Sequence, residues 1–271
     1  VPKLWTRPSR ELASRIDRIW AWEGESELPT LLPGTGHEAF FNLGDPVAVE
    51  DADGLRTLPN AFFISSRTGS LRLRATGTTR FVCVRFRSGQ LGAFCGESMR
   101  EFADRFVPCG DVWGHAAEET RTRLSATLGF ASRARIADDF ARAMLRDRGN
   151  RWENPDWLDR SIERLYYRFS SATVDGVAED AKVSRRQLER RFAEATGATP
   201  KAFQRTARFQ TVLKKLLLAR SGDYLAAALA AGYYDQAHFI HEFKEYTGET
   251  PGEFLRAKNF TSHFYNHRIA N

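Results

Sequence analysis

The feature that most constrains this chain is a twelve-residue pattern that occurs twice in its C-terminal part, fifty-one positions apart. Phe192-Ala-Glu-Ala-Thr-Gly-Ala-Thr-Pro-Lys-Ala-Phe203 is answered by Phe243-Lys-Glu-Tyr-Thr-Gly-Glu-Thr-Pro-Gly-Glu-Phe254. Seven positions coincide: Phe192 with Phe243, Glu194 with Glu245, Thr196 with Thr247, Gly197 with Gly248, Thr199 with Thr250, Pro200 with Pro251, and Phe203 with Phe254. A repeat of this length means that one supersecondary unit is used twice. What a single copy can form therefore fixes the fold of this region.

The run Val183 to Phe192 has helical periodicity, with Leu188 and Phe192 four residues apart on one face. Ser184 is placed to cap it, its hydroxyl accepting an orphan N–H of the first turn, which leaves Arg185, Arg186 and Glu189 facing outward. Gly197 suits the left-handed position that ends a helix, and Pro200 the first turn of the next. In the second copy Asp235 caps, Phe239 and Phe243 face inward, Gly248 stops the helix and Pro251 begins another. A short helix rich in small residues precedes each copy, Asp175 to Ala181 and Tyr224 to Ala231, where Ala178 and Ala228 permit a close crossing. This is the build of a helix-turn-helix. A helix over Arg205 to Ala219 joins the two units and spans roughly 22 Å at 1.5 Å per residue. The flanking units extend that length, which suits second helices placed about one DNA turn apart, near 34 Å, on one face of a duplex.

Residues Val174 to Phe254 resemble the DNA-binding domain of the AraC/XylS family of bacterial transcription regulators. The resemblance rests on Leu188-Glu-Arg-Arg-Phe192, Thr196-Gly-Ala-Thr-Pro200, and Gly232-Tyr-Tyr-Asp-Gln-Ala-His-Phe239 followed by Phe243 and Thr247-Gly-Glu-Thr-Pro251. It implies that the start of each second helix enters a major groove. The base contacts carried over are Arg186, Glu189 and Arg190 in the first unit and Gln236, Ala237, Ile240 and His241 in the second. The chemistry agrees: Arg pairs bidentately with guanine, Gln with adenine, Glu accepts from cytosine, and Ala and Ile meet thymine methyls. Arg185, Arg191, Lys201, Arg205 and Lys244 are assigned to phosphates, which position without reading sequence. The implied partners are double-stranded DNA, a small effector, a second copy of the chain, and RNA polymerase if the regulator activates.

Charge supports this division. Residues 1–159 carry 22 Lys plus Arg against 22 Asp plus Glu, and residues 160–271 carry 18 against 12, so the net charge of +6 lies wholly in the C-terminal part. A basic domain beside a neutral one suits a DNA reader joined to a sensor. At 271 residues the chain has room for two cores. No apolar run approaches the roughly 18 residues of a membrane span, the first residues hold no signal-peptide core, and the expected location is the cytoplasm. Cys83, Cys95 and Cys109 are odd in number and lack paired metal spacing, so they read as buried thiols.

From Leu4 to Trp22 the pattern suggests a short helix followed by a strand. Short strands follow at Glu38 to Leu43, Phe62 to Ser65, Ser70 to Arg74 and Phe81 to Phe86, separated by Gly- and Asp-rich turns, which predicts a small barrel or sandwich. Phe40-Phe-Asn-Leu-Gly-Asp45, the Arg80 to Phe86 strand and Gly89 to Phe94 resemble the cupin-like sensor domain of many AraC-type regulators. Apolar stripes mark helices at Ala116 to Leu128 and Ser132 to Arg146, which pack on the barrel or make a dimer. Arg148 to Pro155, polar with Gly and Pro, reads as a linker. The expected fold is α+β: a cupin-like β-barrel with packed helices over residues 1–150, and an all-α double helix-turn-helix over residues 151–271.

Within the barrel, Trp20, Trp22 and Phe40 supply aromatic surface, as do Phe41 and Phe86, and His37, Glu38, Asn42, Arg72, Arg74 and Arg85 supply polar groups. The mixture suits a pocket for a small effector, with an anion favoured by three arginines on adjacent strands. The reading to weigh against regulation is a cupin-like binding protein or enzyme whose C-terminal helices are structural. Catalysis there needs clustered metal ligands, but His37 stands beside Glu38 with His115 far off, and no cysteine lies in an alkyl-accepting context. The pairs His238/His241 and His263/His267 have helical spacing but fit DNA contact and solvation better than metal. No catalytic residue, metal or cofactor is assigned.

Overall fold

In the computed structural model, residues 4–24, 28, 30–51, 54–148, 152–218 and 224–256 are described. The N-terminal strands are β1 (Leu4–Thr6), β2 (Ile16–Gly24), β3 (His37–Asn42), β4 (Val47–Asp51), β5 (Gly54–Thr57), β6 (Ala61–Ile64), β7 (Arg72–Ala75), β8 (Thr79–Phe86) and β9 (Phe106–Pro108). They form a six-stranded antiparallel sheet in the order β1-β2-β8-β3-β6-β9 and a three-stranded sheet in the order β5-β4-β7. The central strands of the large sheet are apolar on both faces. Ile19, Ala21, Ala39, Phe41, Val82, Val84 and Phe86 pack under helices, while Trp20, Phe40, Phe62, Phe81 and Cys83 meet Val47, Val49 and Leu73 of the small sheet.

Two expectations are corrected here. The opening segment is not a helix: Ile16, Ile19 and Trp20 lie on β2, and their helical spacing arises because a strand buried on both faces has no polar side to break it. Nor do the strands close into a barrel. Among the described residues the two sheets remain separate ladders, with the isolated bridges Leu31 to Leu71 and Gly34 to Arg67 outside the named strands. Trp20, Phe40, Phe62 and Phe81 occupy the space between the layers, with Phe40 and Phe62 stacked at 5.5 Å. Strands β4 and β5, on either side of the Asp51 to Gly54 turn, add a hairpin that the sequence pattern had not marked.

Helices α1 (Gly92–Cys95), α2 (Cys109–Trp113), α3 (His115–Ala126) and α4 (Phe130–Arg148) cover the outer face of the large sheet, with a 3-10 turn at Met99–Glu101. The two predicted helices here are present with ends shifted by a few residues. Packing on the sheet accounts for their stripe: Leu124, Ala137, Phe140 and Met144 share one core with Phe41 and Phe63. Trp113 joins the layers, its ring 4.5 Å from Phe63 and 4.9 Å from Phe140, its indole N–H donating to the Phe94 carbonyl. All three cysteines are buried thiols; burial pushes Cys95 and Cys109 well above the ordinary thiol range.

The C-terminal helices are α5 (Asp156–Tyr167), α6 (Val174–Asp180), α7 (Arg185–Thr196), α8 (Pro200–Leu218), α9 (Tyr224–Leu229), α10 (Gln236–Thr247) and α11 (Pro251–Arg256). The long helix begins at Pro200 rather than Arg205, and its expected end at Ala219 lies outside the described residues, as do residues 149–151 of the linker and the His263/His267 pair. Its N-terminal part, Phe203 and Ala207, belongs to a core with α5, α6 and α7. Its later part, Phe209, Val212, Leu213 and Leu216, belongs to a core with α9, α10 and α11.

A largely polar seam joins the two halves. Ser66 Oγ donates to the Thr196 carbonyl at 2.8 Å, Gln210 Nε2 to the Pro33 carbonyl at 3.1 Å, and Asn154 Nδ2 to the Gly89 carbonyl at 2.8 Å. Leu32 enters the core of the second repeat unit, and Arg72 lies 4.0 Å from Glu249.

Candidate nucleic-acid interface

The repeat is repeated atom by atom at its joint. Ser184 Oγ accepts from Gln187 N at 3.2 Å, and Asp235 Oδ1 accepts from His238 N at 2.8 Å. At the other ends Gly197 and Gly248 hold φ of 74° and 79°, a conformation that glycine adopts without steric cost. Thr196 Oγ1 donates to the Phe192 carbonyl at 2.8 Å and accepts from Ala198 N at 3.3 Å; Thr247 Oγ1 donates to the Phe243 carbonyl at 2.8 Å and accepts from Glu249 N at 3.2 Å. The buried hydroxyl thus closes the helix end and opens the following turn. That role explains why the threonine recurs beside the glycine.

The match is offset by one residue ahead of α7 and α10. Val183 N donates to the Ala178 carbonyl and Tyr233 N to the Ala228 carbonyl, fifty positions apart, while α7 and α10 start fifty-one apart. Left-handed Lys182 and Gly232, at φ of 55° and 81°, are also fifty apart. The second turn therefore contains one extra residue, Tyr234, which is 89% exposed.

On α7, Arg186 and Arg190 are exposed and make no ion pair among the described residues. Arg185 instead holds Glu189 at 2.9 Å and Asp175 at 3.1 Å, and these contacts raise its pKa. On α10, Gln236, Ala237 and His241 are exposed, whereas Ile240 is half-buried against the second core. Of the residues assigned to phosphates, Lys201 and Lys244 are exposed and make no ion pair among the described residues. Arg191 pairs with Glu194 at 3.1 Å, and Arg205 pairs with Glu242 at 2.9 Å and Glu245 at 2.6 Å. For Arg205, burial works against the charge, but the two carboxylates outweigh it and its pKa is raised.

The pattern of the sequence did not reveal the group around Glu242. This carboxylate, 3% exposed, accepts from Arg205 at 2.9 Å, Arg208 at 2.7 Å and the Tyr233 hydroxyl at 2.5 Å. Arg208 also lies over the Tyr233 ring at 4.1 Å. Burial, with Glu242 alongside, pushes the Tyr233 hydroxyl well above its ordinary range, so it stays a donor. The network ties α10 to α8 and fixes the turn before α10. A charged residue one position before Phe243 was the available signal, since an apolar helix face offers no reason for it.

In the N-terminal half the residues assigned to an effector divide, and Phe41 and Phe86 belong to the core under the helices. Trp20, Glu38, Phe40 and Arg85 lie together between the sheets: Trp20 Nε1 donates to Glu38 at 3.3 Å, Arg85 pairs with Glu38 at 2.6 Å and lies 3.9 Å from Asp17, and Trp20 meets Phe40 edge-on. Trp22 packs at the margin of the same core. His37 is fully buried, and neither ring nitrogen has a hydrogen-bond partner among the described residues. Burial, assisted by Arg85, lowers its pKa to about 3, so it is neutral. Asn42 shapes a turn, donating to the Asp45 carbonyl at 2.8 Å. Arg72 and Arg74 sit exposed on β7, and Arg74 is spent on Glu50 at 2.8 Å. The three arginines do not converge.

Among the described residues no group of three or more His, Cys, Asp or Glu is placed to hold a metal ion, and no helix is long and apolar enough to cross a membrane.

Residues 177–257 match a family described as a helix-turn-helix domain, and residues 6–108 match a domain family of unknown function, DUF6597. The HTH-type transcriptional regulator MtrA of Neisseria gonorrhoeae is 35% identical over 106 residues, which cover 37% of this chain and 35% of MtrA. The chain therefore spans about a third of the length of this relative. A solved structure of ToxT from Vibrio cholerae shares the fold over 88% of this chain and 97% of that one, with a TM-score of 0.51 at 8% identity. Paired helices with matching caps, turns and exposed faces, joined by one long helix, define a helix-turn-helix protein. The C-terminal part of the chain thus matches the helix-turn-helix domain family and is similar over that part to an HTH-type transcriptional regulator.

Proposed function

We propose that the chain is a sequence-specific DNA-binding transcription regulator of the AraC type. The observation that carries the reading is the pair of exposed helix starts at equivalent places in a repeated unit, with Arg186 and Arg190, in no ion pair among the described residues, on α7 and Gln236 and His241 on α10. In this reading residues 151–271 form a double helix-turn-helix. Arg186 and Arg190 donate to guanine edges and Gln236 pairs with adenine, while Ala237 and Ile240 meet thymine methyls. Glu189 accepts from cytosine, and Arg185 serves a phosphate, once the pair between them exchanges. Lys201 and Lys244 take phosphates directly; Arg191 and Arg205 do so only by leaving their carboxylates.

Residues 1–150 form the sensing domain. Trp20, Glu38, Phe40 and Arg85 lie together between the sheets, with buried His37 next to Glu38 along β3, and we assign the effector to that region. The name of the gonococcal relative supports the regulatory reading. The protein acts without catalysis, in the cytoplasm, with a second copy of the chain as partner and RNA polymerase as a further one if it activates.

The test is selection of bound sequences from a random duplex library at two salt concentrations. Two enriched blocks about one helical turn apart are the expected result. Absence of enrichment, together with unchanged duplex binding by Arg186→Ala and Arg190→Ala, overturns the reading in favour of a small-molecule-binding protein with structural C-terminal helices.

A further inference from the structure

We propose that a third DNA-binding surface lies between the two reading helices, built by Arg168 and Ser171 at the end of α5 and by Tyr234 in the enlarged turn before α10, and that its ligand is the sugar-phosphate backbone between the two major grooves. The proposal rests on the DNA-binding reading and deepens it.

Placement is the first observation. The segment from Arg168 to Thr173 connects α5 to α6, and Thr173 caps α6, its Oγ1 accepting from Gly176 N at 3.1 Å. This segment belongs to the first unit, yet it leans on the second. A Cβ placed at Gly232 would lie 3.8 Å from Ser170 Cβ. It is also pinned to the shared long helix, because Gln204 Nε2 donates to the carbonyls of Phe169 and Ala172 at 2.6 Å each. The segment therefore bridges the units next to the turn from which α10 starts.

Chemistry is the second. A groove of about 510 Å³ opens beside this segment, lined by Arg160, Glu163, Arg164, Tyr167, Arg168 and Ser171. The arginines recur every four residues and so share a face of α5. Arg160 lies 4.0 Å from Asp156, and Arg164 pairs with Asp180. Arg168, at the C-terminal cap of α5, is exposed and makes no ion pair among the described residues. It is the cation of this face closest in sequence to the bridging segment and free for an external anion. Ser171 is exposed beside it and adds a hydroxyl donor.

The third is Tyr234. It is the residue that the second turn has and the first lacks, and its side chain is 89% exposed, although an aromatic ring gains from burial. Directly ahead of the Asp235 cap, it stands at the entry of the reading helix. A phenol there offers a hydroxyl to a phosphate and a ring face to a deoxyribose. Phosphate and sugar contacts of this kind fix register without reading bases.

The experiment uses the full chain and the duplex enriched by selection, with Arg168→Ala, Tyr234→Ala, Tyr234→Phe and Arg186→Ala measured over a salt series. Arg168→Ala is expected to weaken binding roughly three- to tenfold on enriched and scrambled duplexes alike, and to reduce the slope of log affinity against log salt by about 0.9. Tyr234→Ala is expected to weaken binding without changing that slope, and Tyr234→Phe separates the hydroxyl from the ring. Ethylation of phosphates midway between the two blocks is expected to impair the parent but not Arg168→Ala. Parental affinity, slope and ethylation pattern in Arg168→Ala and Tyr234→Ala, while Arg186→Ala loses the enriched sequence, overturn the third surface and leave the reading helices intact. If Arg186→Ala also binds as the parent does, the DNA-binding reading falls and the third surface with it.

Discussion

At equivalent positions of the two reading helices the first unit has Arg185, Arg186, Glu189 and Arg190, and the second has Gln236, Ala237, Ile240 and His241. The contrast reverses one position later, where half-exposed Arg191 of the first unit is replaced by buried Glu242 of the second. The first unit thus carries its charge outward and takes support from outside itself: Ser66 and the Met99 carbonyl press on its Thr196-Gly197 turn. The second keeps its charge inward, where Glu242 binds two arginines of the long helix and a tyrosine of its own turn. One backbone joint, made by a cap, a threonine and a glycine, serves both. What differs is the anchor, and the anchors determine what each unit can do. A charged reading face supplies affinity and salt dependence, whereas an uncharged one supplies shape and hydrogen-bond selection.

The largest expected effect falls on the inward charge. Glu242→Ala leaves Arg205, Arg208 and the Tyr233 hydroxyl without their shared acceptor, and is expected to cost about 3 kcal/mol. The equivalent substitution in the first unit, Arg191→Ala, removes a partly exposed i, i+3 pair and is expected to cost no more than about 0.5 kcal/mol. Urea unfolding of both variants decides the point. Equal losses would break the claim that the units are anchored differently.

Next comes the glycine joint. Both Gly197→Ala and Gly248→Ala force an L side chain into the left-handed region, at about 1 kcal/mol each. An added Cβ at Gly197 also meets the Met99 carbonyl at 2.7 Å and Ser66 Oγ at 2.9 Å, whereas at Gly248 it meets nothing within 4 Å. Gly197→Ala is therefore expected to lose a further 1 to 3 kcal/mol or so through overpacking, read as a lower urea midpoint. If the two midpoints shift equally, the N-terminal half does not brace the first unit.

The sequence made the joint legible because its parts are local. Ser184, Asp235, Gly197 and Gly248 act on their own helix ends, and their spacing shows through any tertiary context. The anchors were hidden because they are not local: Glu242 acts on residues 34 and 37 positions away, and Ser66 on one 130 positions away. The N-terminal half was misread for a related reason. Ile16, Ile19 and Trp20 serve two different cores from one strand, and a strand buried on both faces loses the alternation that distinguishes it from a helix. Closure of the sheets was equally out of reach, since it depends on which edges pair and not on the pattern within a strand. Among the candidate effector residues, alternation could not tell Arg85, which turns inward onto Glu38, from Arg74, which turns outward onto Glu50.

On DNA the contrast becomes one of kind. Arg186→Ala and Arg190→Ala are each expected to lose about 1 to 3 kcal/mol of specific binding and to relax the selected base at their position. Any share of that loss carried by phosphate attraction lowers the salt slope as well. Gln236→Ala is expected to lose a comparable amount at its own base with the slope unchanged, because no charge leaves. Affinity measured on the enriched duplex and on single-base variants, at two salt concentrations, separates the cases. A slope change on removing Gln236 would show that the second face works through charge after all.

The smallest effect concerns the caps, and it separates a cap as a joint from a cap as a charge. Ser184 and Asp235 make the same hydrogen bond to the third residue of their helices, so removing either to Ala is expected to cost about 1 kcal/mol of stability. Asp235 adds a negative charge at a helix N-terminus, which the helix dipole favours in the free protein by about 0.3 to 1 kcal/mol. Against a phosphate backbone the same charge opposes binding. Asp235→Ser keeps the hydrogen bond and removes only the charge, so it is expected to cost about 0.3 to 1 kcal/mol in unfolding while DNA affinity rises severalfold at low salt and converges with the parent at high salt. The reverse change, Ser184→Asp, is expected to hold stability and weaken DNA binding. Should Asp235→Ser leave DNA affinity untouched at low salt, the start of α10 lies further from phosphate than the start of α7, and the second unit reads DNA from a shallower position than the first.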